Sequence, residues 1–229
     1  MENLSSDLKQ LLLEKGASLV GFGDISELVI DEEKDMKCGV SVAVSMTPSI
    51  VKSIENGPTE EYYLEYKRLN LLLDELVTVG AVFLKSKGYK ALAQTTAAVQ
   101  EFDNFRTRLP HKSFATRAGI GWIGKCALLV TKEYGSAVRI SSIITSAPLE
   151  LNVPINHSIC NSCMVCVNAC PAGAASGEEW NVKKDRDALF NPGKCRNEAR
   201  LRAAKIGIEA TICGKCIEIC PYTQKYINS

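Results

Sequence analysis

The chemistry of this chain of 229 residues is concentrated between Cys160 and Cys220. The stretch opens as Cys160-Asn-Ser-Cys163-Met-Val-Cys166-Val-Asn-Ala-Cys170-Pro171 and closes as Cys213-Gly-Lys-Cys216-Ile-Glu-Ile-Cys220-Pro221, with Cys195 alone between the runs. The first run reads C-x2-C-x2-C-x3-C-P, a spacing that holds cubane iron–sulfur clusters. Three thiolates separated by two residues wrap one cluster, and local chain geometry keeps the fourth away, so it ligates the other cluster; the proline stops the turn from continuing. The second run lacks a first cysteine, and Cys195 supplies it from a distance. Cluster one then takes Cys160, Cys163, Cys166 and Cys220, and cluster two takes Cys195, Cys213, Cys216 and Cys170. Only Cys38 and Cys126 are left over. A zinc ribbon asks instead for two separated C-x2-C pairs closing on one tetrahedral ion.

Other residues suited to a site lie upstream. Ala97 to Lys112 is polar and irregular and holds Asp103, Arg106, Arg108 and His111, a candidate site wall. Gly119-x-Gly121-x-x-Gly124 matches a dinucleotide fingerprint, and Gly119-x4-Gly124-Lys125 most of a phosphate loop. Both require a strand before and a helix after. Here a helix is expected at Phe114 to Ala118 and strands at Ala127 to Thr131 and Val138 to Thr145, so both readings are rejected. The glycines instead let the backbone approach a flat ligand or turn tightly into the sheet. Trp122 is core or a platform for that ligand, and Lys125 meets an anionic group or solvent. Tyr62 and Tyr66, with Asn70, form a stripe at helical spacing that would line a cofactor pocket or a half-buried face. Cys38 and Cys126 read as packing thiols, with ligation or nucleophilic chemistry the alternative for Cys126.

These residues need elements to position them. Helices are expected at Asp7 to Lys15, Thr59 to Lys87 and Asn197 to Ile206, and strands at Ser18 to Gly23, Cys38 to Met46 and Tyr89 to Thr95. The proline-bearing stretch Ser146 to Ile155 marks a boundary, giving residues 1–155 and 156–229 as two domains. A net charge of +1 argues against a large nucleic-acid footprint. No apolar run is long enough to span a bilayer. Ten cysteines behind an amphipathic rather than leader-like N-terminus point to metal ligation in the reducing cytoplasm.

His111-Lys112, Ala118-Gly-Ile-Gly-Trp-Ile-Gly-Lys125, Tyr134-Gly135 and both cysteine runs together resemble the epoxyqueuosine reductase family, and more distantly the corrinoid reductive dehalogenases. The resemblance implies an α+β chain: a nitroreductase-like α/β core that binds cobalamin, followed by a ferredoxin-like module with two [4Fe–4S] clusters. For such an enzyme the residues expected to bind the cofactor are Tyr62, Tyr66, Lys112, Gly119, Gly121, Trp122, Gly124 and Lys125, and the wall from Asp103 to His111 is expected to supply a proton, with Asp103 or His111 as general acid. The expected partners are a low-potential electron donor, ferredoxin or flavodoxin, and a small molecule or corrinoid protein. The family's longer members add a helical-repeat domain that helps hold tRNA; this chain stops at Ser229, so tRNA is not expected. The family's catalytic aspartate segment has no match, since ungapped counting back from Gly119 reaches Phe105 and Asp103 is the nearest carboxylate. The competing reading is a ferredoxin-type electron-transfer protein without substrate chemistry of its own.

Overall fold

The computed structural model describes residues 3–29 and 33–229. In chain order its elements are α1 (Leu4–Glu14), β1 (Leu19–Asp24), β2 (Cys38–Ser45), α2 (Pro48–Ser53), α3 (Glu60–Ser86), β3 (Ala91–Gln94), β4 (Glu101–Phe102) and β5 (Arg106–Thr107). They continue with α4 (His111–Arg117), β6 (Trp122–Ile123), β7 (Leu129–Val130), β8 (Val138–Thr145), α5 (Val165–Asn168), α6 (Arg186–Leu189), α7 (Pro192–Ala204), α8 (Lys215–Glu218) and α9 (Pro221–Ile227). The fold is mixed α+β. The chain forms two compact units: Met1–Ser45 with Leu69–Gly121 and Arg139–Ile155, and Met46–Arg68 with Trp122–Val138 and Asn156–Ser229.

The first unit is built on a four-stranded sheet ordered β1-β2-β8-β3. β1 and β2 are antiparallel from Leu19↔Ala43 to Asp24↔Cys38, and β3 pairs antiparallel with β8 from Ala91↔Thr145 to Gln94↔Ser142. β2 is buried along nearly its whole length, which explains its continuous rather than alternating apolar run. Leu8 and Leu12 of α1, Leu73, Leu76 and Val77 of α3, and Phe114 of α4 fill the core against Val40, Val42 and Ile143 of the sheet. Asn3 starts α1 by accepting the Ser6 backbone N–H at 3.1 Å. Burial pushes the Cys38 thiol up to about 12, so it packs as an uncharged side chain.

The second unit has little sheet. β6 and β7 make one hairpin, registered Trp122↔Val130 and Ile123↔Leu129. α2 packs on α8 and α9. Of its helices, α5, α6 and α8 are 4 residues long and α9 is 7. Elements this short do not hold themselves. Its buried apolar side chains include Trp122, Leu129, Trp180, Leu189, Ala203 and Ile227.

Two expectations are corrected. The stretch 97–112 is not wholly irregular: β4 and β5 pair as a small ribbon around a turn in which Asn104 and Phe105 take left-handed φ of 58° and 56°. And α7 starts at Pro192, not Asn197, so Cys195 lies in its first turn. Asn191 is its N-cap, accepting from the Lys194 N–H, and Pro192 takes the first helical position, where it lacks only an N–H that had no helical partner.

Candidate iron–sulfur site

All eight cysteines assigned to clusters fall in the second unit. Cys166 lies on α5 and Cys216 on α8, and these two one-turn helices pack against each other. The backbone makes the same left-handed step after Cys160 and after Cys213, which open the two runs: Asn161 has φ 47° and Gly214 has φ 79°. Glycine and asparagine are the residues that tolerate this conformation. The step turns the chain back so that two thiols three positions apart face one side. Cys220 sits before Pro221, which opens α9.

Cys126 stands between the thiols of the two runs. Its hydrogen bond to Cys166, together with burial, pushes the Cys166 thiol up, and Cys220 and Cys160 lie near enough to add to this. Cys126 and burial do the same to Cys216, with Cys195 and Cys213 as its further neighbours. The last cysteine of the second run thus stands beside the first run. Cys170 accepts the Ala174 N–H at 3.4 Å. Among the described residues, no three His, Cys, Asp or Glu side chains converge tightly enough to hold a single metal ion. A cubane spreads its ligands over separate irons, and thiolate is the donor it takes. The donor set fits clusters.

The β6–β7 hairpin lies against this arrangement. Gly124 N–H donates to the Leu128 carbonyl at 2.9 Å, leaving a three-residue loop of Lys125, Cys126 and Ala127. Ala127 takes the left-handed place at its end, with φ 59°. Trp122 is fully buried; its Nε1–H donates to Cys160 Sγ at 3.5 Å, and its ring meets Tyr222 edge-on at 5.0 Å. Lys125 is buried too, and its ammonium donates to the Asn161 carbonyl at 2.6 Å, with Met164 Sδ at 3.6 Å and Glu179 at 4.0 Å. Cys126 lies within hydrogen-bonding reach of Cys166 and Cys216. A Cβ at Gly124 would come within 2.8 Å of Val130 Cγ2, so glycine is what lets the hairpin close on its own second strand, while Cys160 Sγ at 3.6 Å would be in ordinary contact.

Trp122 is therefore core rather than an open platform, and Lys125 is enclosed against the turn after Cys160, with the Glu179 carboxylate at ion-pair distance. Core was one of the two readings open for Trp122; the contacts of Lys125 were not legible in the sequence, because Asn161, Met164 and Glu179 are remote from the hairpin and carry no pattern of their own. Tyr62 is buried and Tyr66 half-buried. The Tyr62 ring lies 3.5 Å from where a Gly214 Cβ would stand, which puts it against the second cysteine run. Its neighbour Glu65 is buried, and despite that burial its carboxyl is held below the usual range by Arg68 and by Thr47, whose N–H and hydroxyl donate at 3.1 and 2.9 Å.

The remaining candidates belong to the first unit. Gly119, with φ 66°, ends α4, and Gly121 follows it; α4 precedes the glycine run and β6 and β7 follow it, the reverse of either phosphate fingerprint. Asp103 is exposed at the tip of the β4–β5 ribbon. The ribbon's Phe102 and Thr107, with Gln94, Gln100, Arg108 and Leu109, help line a cavity of about 420 Å³, within the size range of small-molecule sites. Arg108 forms a two-pronged ion pair with Glu33. Lys112 is half-buried on α4, next to His111.

His111 Nδ1 stands 2.6 Å from Ser142 Oγ. Burial first, and the Arg139 charge second, lower its pKa from 6.5 to about 4, against the opposing pull of Asp74. The ring is neutral near pH 7, so it exchanges hydrogen bonds there rather than storing a proton. The unfolded chain binds its proton near 6.5 and the folded one only near 4, so stability is lost as pH falls through that window. We expect a loss of no more than roughly 3 kcal/mol, read as the urea midpoint between pH 7.5 and 4 and absent in His111→Gln. An equal loss in that variant would assign the pH dependence to other groups.

Residues 159–224 match the family described as the 4Fe-4S dicluster domain. The epoxyqueuosine reductase of Listeria monocytogenes is 52% identical over 111 residues, covering 48% of this chain and 28% of that protein. That of Bacillus subtilis is 36% identical over 115 residues, covering 49% of this chain and 29% of the relative. The matches thus span under a third of these relatives. Among solved structures, the catabolic reductive dehalogenase NpRdhA, bound to 3-bromo-4-hydroxybenzoic acid, aligns over 94% of this chain and 31% of its own with a TM-score of 0.73 and 18% identity. A selenomethionine-labelled epoxyqueuosine reductase aligns over 96% of this chain and 66% of its own with a TM-score of 0.62 and 21% identity. No described helix is long and apolar enough to cross a membrane. The chain is thus a sequence relative of the epoxyqueuosine reductases over about half its length, on a fold shared with them and with reductive dehalogenases, and with a 4Fe-4S dicluster segment in its tail.

Proposed function

We propose that this protein is a cytoplasmic iron–sulfur-dependent reductase of the epoxyqueuosine reductase type, in which two [4Fe–4S] clusters pass single electrons to a corrinoid that reduces a substrate. The cluster half of this reading is supported by the 4Fe-4S dicluster match over residues 159–224 and by the nearness of Cys220 to Cys166 and Cys160. Residues 156–229 supply the ligands, and the hairpin around Lys125 supports them. Trp122 directs its N–H at one ligand sulfur, and Lys125 holds the turn in which that ligand sits.

The corrinoid half rests on less. It is supported by fold likeness to a solved reductive dehalogenase described as suggesting a mechanism for B12-dependent dehalogenation. In this reading residues 1–155 form the nitroreductase-like part, Gly119, Gly121 and Lys112 face the ring, and Asp103 and His111 border the substrate. Trp122 and Lys125 do not fit that role, because both are enclosed. We therefore derive no step through the corrinoid. tRNA stays outside the reading, although one epoxyqueuosine reductase structure of this fold contains an epoxyqueuosine-modified tRNA stem loop.

The second reading, an electron-transfer protein that reduces a partner such as a corrinoid protein, is favoured by the same enclosure of Trp122 and Lys125 and by the exposure of Asp103. One experiment separates the two. Protein reconstituted anaerobically should take up about eight irons, and added hydroxocobalamin should then change its spectrum in a one-to-one titration. Full iron with an unchanged cobalamin spectrum would overturn the enzyme and leave electron transfer. Uptake of one or two zinc ions in place of iron would overturn both.

Hydrogen bonds to cluster sulfurs raise reduction potentials by stabilising the more negative state. Trp122→Phe keeps the packing against Tyr222 and removes the N–H to Cys160. We expect one of the two cluster potentials to fall, on the order of 50 mV for a single charge-assisted bond, with the other unmoved. Redox titration followed by electron paramagnetic resonance measures this. Two unchanged potentials would remove Trp122 from the electron path.

A further inference from the structure

The second unit carries a surface that none of this chemistry uses. α7 buries Ala199 and Ala203. Its outward side presents Lys194, Arg200 and Lys205, all exposed, around Leu201, which is 62% exposed; Ile206, 42% exposed, follows just past the helix. Residues 194–205 hold five basic side chains and one glutamate, in a chain whose total charge is only +1. Glu198 lies 3.7 Å from Arg202, and Arg202 also donates to the Asn56 carbonyl at 2.9 Å, so that pair serves the unit's interior. A shallow groove of about 330 Å³, lined by Arg200, Ala204 and Ile208 among others, continues the surface. Cys195, the exposed one of the ten cysteines, lies in the first turn of this helix, beside Lys194.

We propose that the outward face of α7 docks an acidic one-electron carrier protein, and that electrons enter through the cluster held by Cys195. This rests on the reading that Cys195 is a cluster ligand. An apolar centre ringed by cations suits a weak, transient complex with a protein that carries acids around its redox group. It suits a nucleic acid less, because Leu201 and Ile206 have no phosphate to meet and the chain as a whole offers little positive field. In the transfer the reduced carrier loses one electron and the oxidised cluster gains it; no bond forms and no proton moves.

The test uses the full chain, reconstituted anaerobically with iron and sulfide, and a dithionite-reduced acidic ferredoxin as the carrier. In stopped flow at low salt, the triple variant Lys194→Glu/Arg200→Glu/Lys205→Glu should be reduced about tenfold or more slowly than wild type. It should also lose the wild type's steep decline in rate with added salt. The neutral set Lys194→Gln/Arg200→Gln/Lys205→Gln should fall between the two. Reduction by titanium(III) citrate and the iron content should not change in either variant. Equal rates with the ferredoxin at full iron content would overturn the docking proposal and leave the cluster reading intact. Iron content lowered by Cys195→Ala supports the cluster reading on which docking depends; iron content unaltered by it overturns both. Unchanged ferredoxin rates with lost binding of a tRNA stem loop would overturn the proposal in favour of a nucleic-acid surface.

Discussion

Cys220→Ala protein, reconstituted without oxygen, is expected to hold about four irons where the parent holds about eight. The telling measurement is which second substitution costs nothing more. Cys220 stands beside Cys160 and Cys166, so Cys160→Ala/Cys220→Ala removes two ligands of one cluster and should still hold about four irons. Cys213→Ala/Cys220→Ala removes one ligand from each and should hold almost none. If each cysteine run closed on itself, these outcomes would exchange. The logic is that of a double-mutant cycle: losses within one cooperative unit do not add, and losses in separate units do. Iron and acid-labile sulfide assays on the two double variants decide between the arrangements.

Stripping the iron should have the second large effect, on folding. Between Asn156 and Ser229, apart from the 13-residue α7, the helices are of 4 or 7 residues joined by coil. Few large apolar side chains are buried there, Trp180, Leu189, Ile212 and Ile227 among them. Such a segment depends on its metal as small metallo-domains do. Structural metal sites contribute on the order of 10 kcal/mol to folding, as much as the whole stability of an ordinary domain. Chelation under mild oxidant should therefore make residues 156–229 sensitive to protease, while the four-stranded sheet, with its own core of Leu8, Leu12, Val40 and Leu76, resists. Limited proteolysis with mass spectrometry reads this directly. Equal resistance of the tail with and without iron would show that its own packing suffices.

Much of the metal chemistry was legible because thiolate ligation imposes spacing on the chain itself. Two C-x2-C turns and a trailing C-P are local, so sequence carries them. The sheet was legible for a similar reason: β2 is a mostly apolar run of strand length, β8 is rich in β-branched residues, and the 27-residue α3 carries leucines at helical spacing. What escaped was determined by contacts distant in sequence. Lys125 reads as meeting an anionic group or solvent until the turn at Asn161 is known to receive its ammonium. Trp122 reads equally as core or as a platform until Cys160 and Tyr222 are found to enclose it. The start of α7 was missed although Asn191-Pro192 announces it, because its sparse apolar residues give no periodic stripe. The β4–β5 ribbon was missed because its strands are two residues each and its turn needs, after Asn104, a left-handed Phe105, which sequence does not favour.

The neighbourhood of Cys160, Cys166 and Cys220 also bears on how the protein is made. A ribosome delivers Cys160, Cys163 and Cys166 well before Cys220 emerges. In that interval three thiols of the first set are out of the tunnel without their fourth. On the proposed pairing, that set can be completed with iron only once the trailing segment has been made and Cys220 has left the tunnel.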